Sequence, residues 1–241
     1  MKIGFVGLGN VGGKLANNLL ENNFQISVLD KNHILMEEFN LKGAKTAKSI
    51  KDLVMNSDIL ITCLPSPKIC AEVLESKDGI IDTIQKDQIW IEMSTTEDEQ
   101  LKKHASLIQQ KSAIALDAPV SGGCHRAATG NISIFVGGSR EGFDKAMPVL
   151  KCLGRKILYT GDFGSASILK VITNYLATVH LVALGEAWTI ASKSNLDLNK
   201  TFKGIAASSG NSFVHETESQ VILNGSYNIN FTMDLVEKDV G

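Results

Sequence analysis

Short apolar runs recur along the first two thirds of the chain, at Ile3–Leu8, Gln25–Leu29, Ile59–Leu64, Ile89–Met93, Ala113–Ala118, Ile132–Val136 and Lys156–Tyr159. Runs of this length predict strands. Between them lie segments with helical periodicity, such as Gly12–Asn22, Thr96–Gln110 and Arg140–Leu150. The second of these is opened by Ser94-Thr95-Thr96 and has acidic residues in its first turn. Strands alternating with helices predict a Rossmann-type, doubly wound, mostly parallel α/β sheet with helices on both faces. The pattern changes after Gly164: Ser165 to about Ser192 is one proline-free helical stretch, and no strand-like run follows it. From Asn199 onward short helical patterns are separated by Ser208-Ser209-Gly210 and Asn224-Gly225-Ser226. The sequence therefore predicts an α/β domain over 1–163 and a smaller all-helical domain over 164–241.

The long helix carries Tyr175, Leu176, Val179, Leu181, Val182 and Leu184, more apolar surface than one sheet edge covers, which predicts a homo-oligomer, a dimer or tetramer. Glu186, within that stretch, is expected to be paired or at an interface.

Composition narrows the class. With 241 residues, 44% apolar and 21% charged, and a formal charge of −2, the chain reads as a soluble globular protein. It lacks the basic excess of a nucleic-acid binder, so the expected partner is a small molecule, with no nucleic acid and no membrane. Cys63, Cys70, Cys124 and Cys152 form no C-x-x-C pair and lack histidines at ligand spacing, so no metal site is expected. Met1-Lys2 leads at once into Ile3-Gly4-Phe5-Val6-Gly7, unlike a signal peptide. The expectation is a cytoplasmic protein.

Gly7-Leu8-Gly9-Asn10-Val11-Gly12 follows the first predicted strand and opens the first predicted helix. In that context Gly7 permits a tight turn, Gly9 lets a pyrophosphate approach the backbone, and Gly12 permits close helix–strand packing. The anion then sits at the positive helix N-terminus. Asp30, at the end of the second strand, would accept hydrogen bonds from ribose hydroxyls and repel a 2′-phosphate, favouring NAD over NADP. Lys31 beside it keeps NADP open. Leu64-Pro65 and Ser94-Thr95 stand at the carboxyl ends of later strands, where open α/β sheets bind ligands. A strand-ending proline and a helix cap explain those residues equally well.

Asp117-Ala118-Pro119-Val120-Ser121-Gly122-Gly123 places a hydroxyl and consecutive backbone N–H groups at another strand end, a set suited to a carboxylate. A serine-hydrolase elbow would need glycine where Pro119 stands, which excludes that class. In Gly161-Asp162-Phe163-Gly164-Ser165-Ala166-Ser167-Ile168-Leu169-Lys170-Val171-Ile172-Thr173-Asn174, Lys170 and Asn174 share one helix face. Among apolar neighbours Lys170 would be partly desolvated, which lowers its pKa toward the range useful for proton transfer. The alternative for Lys170 is a snorkelling surface lysine.

These elements, in this order, resemble the β-hydroxyacid dehydrogenase family, of the 3-hydroxyisobutyrate dehydrogenase type, over nearly the whole chain. The family's glycine motif matches Gly7, Gly9 and Gly12; its substrate motif matches Asp117 to Gly123; its catalytic motif matches Gly161, Gly164, Lys170 and Asn174. The resemblance implies hydride transfer between a small 3-hydroxy acid and NAD. Lys170 and Asn174 would be catalytic, and Ser121, Gly122 and Gly123 would bind substrate. Gly7, Gly9, Asn10, Val11, Gly12, Asp30, Leu64, Pro65, Thr95 and Lys238 would hold the cofactor. It pairs Lys238 with Asp239 and implies that Lys238 reaches the cofactor and substrate, where it would favour neutral Lys170 by like-charge repulsion.

The sequence departs from the family at Ala166, where glycine is usual, and at Cys124-His125-Arg126, where small residues are common. The latter change implies a differently shaped or more polar substrate pocket. The sequence stops at Gly241, in what resembles a helix, which reads as a shortened second domain. Two other readings stand beside the dehydrogenase: an NADPH-dependent reductase of small aldehyde acids, of the glyoxylate or succinic semialdehyde type, and a dinucleotide-binding module without turnover.

Overall fold

The computed structural model describes residues 1–96, 98–226 and 236. In chain order its elements are β1 (Lys2–Val6), α1 (Gly12–Glu21), β2 (Gln25–Leu29), α2 (His33–Leu41), β3 (Lys45–Thr46), α3 (Ile50–Met55), β4 (Ile59–Thr62), α4 (Pro67–Glu75), α5 (Ile80–Thr83), β5 (Ile89–Glu92), α6 (Asp98–Gln110) and β6 (Ile114–Asp117). There follow β7 (Val120–Ser121), α7 (Gly123–Ala128), β8 (Ser133–Gly138), α8 (Arg140–Leu153), β9 (Lys156–Gly161), α9 (Ser165–Lys193), α10 (Leu198–Ala206) and α11 (Phe213–Asn224). The predicted strands and helices are all present, with α6 beginning later than the sequence pattern suggests and α8 running further. Helix starts follow side-chain chemistry. Asn32, Ser49, Ser66, Ser139, Asp197 and Ser212 each cap a helix by accepting a backbone N–H, and Gly225 closes α11 in the left-handed conformation.

The strands form one sheet in the order β3-β2-β1-β4-β5-β6-β8-β7, with β9 also paired to β8. From β3 to β6 every pairing is parallel; β8 runs antiparallel to β6 and β7 and parallel to β9. Strand order reverses between β1 and β4, which opens a crevice at their carboxyl ends. One face packs Ile3, Phe5, Ile61 and Ile91 against Leu15 and Leu19 of α1 and Val149 and Leu150 of α8. The other packs Leu60 and Trp90 against Leu53, Leu74, Leu101 and Ile108. Truncating a wholly buried member such as Leu15 or Ile61 to Ala would cost roughly 2–5 kcal/mol.

The chain divides into two compact units, Met1–Lys170 and Val171–Gly241. The second has a small core of Leu184, Trp188, Ala191 and Val214, with Phe202, Ile205 and Leu223 against it. Leu184 is thus buried, not on the exposed apolar face where the sequence pattern put it, because α10 and α11 supply it with a core to enter. Tyr175, Leu176, Val179, Leu181 and Val182 are exposed. Inside this core the Trp188 indole N–H donates to Ser219 Oγ at 3.3 Å, and Ser219 pairs with His215 Nδ1 at 2.9 Å. His215 Nε2 lies 3.1 Å from the Phe202 carbonyl, which only accepts, so Nε2 carries the proton and Nδ1 accepts from Ser219. By length and composition α9 is the described helix that could cross a membrane.

Candidate active site

The turn from β1 into α1 shows what each glycine is for. Gly7 has φ +96°, and a Cβ there would lie 2.2 Å from the Cys63 carbonyl oxygen. A Cβ on Gly12 would lie 2.1 Å from the Gly7 carbonyl oxygen. A Cβ on Gly9 would meet nothing within 4 Å, so its outer side is open. Val11, at the start of α1, supplies no side-chain cap. A helix N-terminus without a cap beside an open glycine fits an anion such as a pyrophosphate. Asp30, just past β2, accepts the Leu8 N–H at 2.6 Å through Oδ2 and the Asn32 N–H at 2.7 Å through Oδ1. Its carboxylate is thereby fixed beside the glycine turn, where ribose hydroxyls could donate to its remaining lone pairs. Lys31 points elsewhere, pairing with Glu72 at 3.2 Å.

The ends of β4 and β5 join the same rim. Leu64 lies against Gly7, and its N–H donates to Ser94 Oγ at 2.7 Å. Ser94 donates its own N–H to the carboxylate of Glu92 at 2.8 Å. The Thr62 hydroxyl donates to Glu92 from the other side at 2.9 Å and accepts the Trp90 indole N–H at 2.9 Å. Glu92 is only 1% exposed. Burial pushes its carboxyl up to about 7, although Ser94 and Thr62 both favour the anion. Glu92 was missed in the sequence; the available signal was a carboxylate ending an otherwise apolar strand, Ile89-Trp90-Ile91-Glu92.

The segment expected to bind substrate leaves β6 at Asp117 and forms β7 with Val120 and Ser121. Gly122 and Gly123 follow with φ +132° and +76°, conformations that L side chains rarely adopt. Arg126 on α7 lies over Gly122, so the unusual Cys124-His125-Arg126 run borders this turn. Asp117 is wholly buried, and its Oδ2 accepts the Ser167 N–H at 3.0 Å in the first turn of α9. Its other oxygen, Oδ1, is buried without a hydrogen-bond partner among the described residues. Burial raises the pKa of Asp117, against the effect of the Ser167 donor. Gly137 on β8 leaves room for the contact, since a Cβ there would lie 2.3 Å from Asp117 Oδ1.

Lys170, half-buried, follows Ser167 by one helical turn, and Asn174, buried, follows Lys170 by another along α9. The structure thus gathers Gly7, Gly9, Asn10, Val11, Gly12, Asp30, Leu64 and Ser94 at one rim, with Pro65 and Thr95 adjoining in sequence. It ties the strand leading to Ser121, Gly122 and Gly123 to the start of the helix that carries Lys170. Lys238 and Asp239 lie outside the described residues.

Residues 2–161 match the family model described as the NAD binding domain of 6-phosphogluconate dehydrogenase. Residues 164–241 match that described as NAD-binding of NADP-dependent 3-hydroxyisobutyrate dehydrogenase. The mitochondrial 3-hydroxyisobutyrate dehydrogenase of Rattus norvegicus is 32% identical, over 99% of this chain and 73% of that protein. The 2-(hydroxymethyl)glutarate dehydrogenase of Eubacterium barkeri is 31% identical, over 100% of this chain and 80% of that protein. Among solved structures, the 3-hydroxyisobutyrate dehydrogenase of Mycobacterium tuberculosis with L-serine superposes with a TM-score of 0.90 at 26% identity, over 99% of this chain and 83% of that one. The chain belongs to the β-hydroxyacid dehydrogenase family, of the 3-hydroxyisobutyrate dehydrogenase type, whose members are NAD(P)-dependent oxidoreductases acting on CH–OH groups.

Proposed function

We propose that the chain oxidises a small 3-hydroxy acid with NAD, using Lys170 as the proton-transfer group. The observation that carries this reading is the bond from Asp117 to Ser167, which ties the substrate strand to the first turn of the lysine helix. Ser121 and the N–H groups of Gly122 and Gly123 hold the substrate carboxylate. Neutral Lys170 takes the proton of the substrate hydroxyl, and its ammonium returns that proton in the reverse direction. Asn174, one turn on, orients the hydroxyl or the lysine. NAD, when bound, supplies the acceptor for the two electrons that leave with the carbon-bound hydrogen. Gly9, Asn10, Val11 and Gly12 receive its pyrophosphate, and Asp30 receives the ribose and disfavours a 2′-phosphate. Leu64, Pro65 and Thr95 border the cofactor, and Lys238 completes the set by resemblance.

The exposed face of α9 around Tyr175, Val179 and Val182 is read as a contact between copies of the chain. Cys63, Cys70, Cys124 and Cys152 form no disulfide among the described residues, which suits a reducing cytoplasm.

The test follows NAD reduction optically with a panel of 3-hydroxy acids, comparing wild type with Lys170→Ala and NAD with NADP. Lysine-dependent reduction preferring NAD is expected. Turnover surviving in Lys170→Ala within tenfold of wild type would remove Lys170 from the mechanism.

A further inference from the structure

The carboxylate of Glu92 lies between two strand ends, with hydrogen-bond donors on both sides. Thr62 of β4 donates to one oxygen at 2.9 Å, and the Ser94 N–H donates to the other at 2.8 Å. Ser94 in turn accepts the Leu64 N–H at 2.7 Å. A carboxylate accepts at every lone pair, and the groups around Glu92 offer it hydrogens. Protonation would turn one acceptor into a donor: the Ser94 N–H cannot reverse, and the Thr62 hydroxyl could accept the new proton only by turning its own hydrogen to the Ile91 carbonyl at 3.5 Å, a poorer bond. The bonds that hold Leu64 through Ser94 therefore suit the anion, whereas burial opposes it.

We propose that Glu92 is a positioning residue that locks Leu64-Pro65 and Ser94-Thr95 into the arrangement that receives the dinucleotide, so that NAD affinity follows its ionisation. The inference rests on the reading that Leu64, Pro65 and Thr95 border the cofactor. Burial pushes the Glu92 carboxyl up to about 7, which brings both of its ionisation states within reach near neutral pH. Other titratable groups near it are Asp117, its registered partner on β6, and His104 on α6, whose ring meets Trp90 edge-on and bonds to Glu75 of α4 beside Lys103. β4 contributes only the Thr62 hydroxyl at this level of the sheet.

The experiment measures the NAD dissociation constant of the full chain at pH 6 and pH 8.5 by direct titration, in wild type, Glu92→Gln, Ser94→Ala and Leu64→Ala. Wild type is expected to bind NAD several-fold more tightly at the higher pH. Glu92→Gln should bind about tenfold more weakly than wild type at pH 8.5, with the pH response gone. Ser94→Ala, which cuts the link to Leu64 and keeps Glu92, should lose most of the same affinity and carries the test if Glu92→Gln does not fold. Wild-type affinity in both variants would overturn the proposal. A pH response surviving in Glu92→Gln would do so too, by moving the titration to Asp117 or His104. Unchanged affinity in Leu64→Ala would sink the underlying cofactor reading, whereas an effect there with none in Glu92→Gln would sink only this inference.

Discussion

Asp117 and Ser167 are fifty residues apart, yet the carboxylate of the first accepts the N–H of the second at 3.0 Å in the opening turn of α9. An anion at the N-terminus of a 29-residue helix is favoured by the helix dipole and satisfies donors that the helix itself cannot. This bond fixes where the helix starts, and with it the position of Lys170 relative to the strand that leads into Ser121. Replacing Asp117 by Ala should strand the Ser167 N–H in the interior and cost about 1–3 kcal/mol of stability, read as a lowered denaturation midpoint. Turnover should fall more than tenfold while NAD affinity changes by less than threefold. Equal losses in both would mean that the bond supports the fold alone.

Gly9 and Gly12 should separate binding from folding. Gly12→Ala forces a Cβ to within 2.1 Å of a backbone oxygen and should fail to fold or lose several kcal/mol, roughly the upper range for overpacked sites. Gly9→Ala meets no neighbouring atom and should keep the wild-type melting temperature to within about 2 °C. Its new methyl group would project into the open space proposed for the pyrophosphate, so NAD binding should weaken at least tenfold. Thermal melts and NAD titrations on the two variants check this, and tight NAD binding by Gly9→Ala would place the pyrophosphate elsewhere.

Cofactor preference should follow Asp30. Asp30→Ala removes the proposed ribose acceptor and the charge that would repel a 2′-phosphate. It should weaken NAD by roughly ten- to a hundredfold, about 1–3 kcal/mol, and narrow the gap to NADP. Part of the NAD loss would come through the glycine turn, since the Leu8 N–H also loses its partner. The ratio of NAD to NADP affinities is therefore the measurement to make, and an unaltered ratio would refute the ribose contact.

Stability should depend on pH through Glu92. Its folded-state value is raised from 4.5 to about 7, so the folded chain holds a proton that the unfolded chain releases. The stabilisation from that proton is complete below 4.5 and is lost as pH rises toward about 7, a change on the order of 3 kcal/mol. Glu92→Gln cannot titrate. Denaturant unfolding at pH 5 and pH 7.5 should show wild type losing more stability than the variant across this interval, and parallel losses would assign the dependence to another group.

The parts of the fold visible in the sequence are those set by local pattern. Apolar runs and helical periodicity give β1, β2, β4, β5, β6, β8 and β9 with the helices between them. The glycine motif is legible because turn, anion and packing requirements fall on residues a few positions apart. Proximity of distant residues is not written in that way. Nothing around Glu92 announces Thr62, thirty residues earlier, and Asp117 meets Ser167 only because β8 approaches with a glycine at 137. Leu184 fits an exposed apolar stripe as well as a core, and only the folding of α10 and α11 against α9 decides between them. Lys170 is distinguished from an ordinary surface lysine by family resemblance, since a half-buried lysine on an apolar helix suits either role.

The chain has two tryptophans, and each compact unit buries one of them: Trp90 within the sheet and Trp188 in the small helical core. The native emission spectrum is consequently the sum of two shielded indoles, one per unit. Replacing either by Phe would leave a single optical reporter on the other, so the two halves of the molecule could be watched separately as they lose their structure.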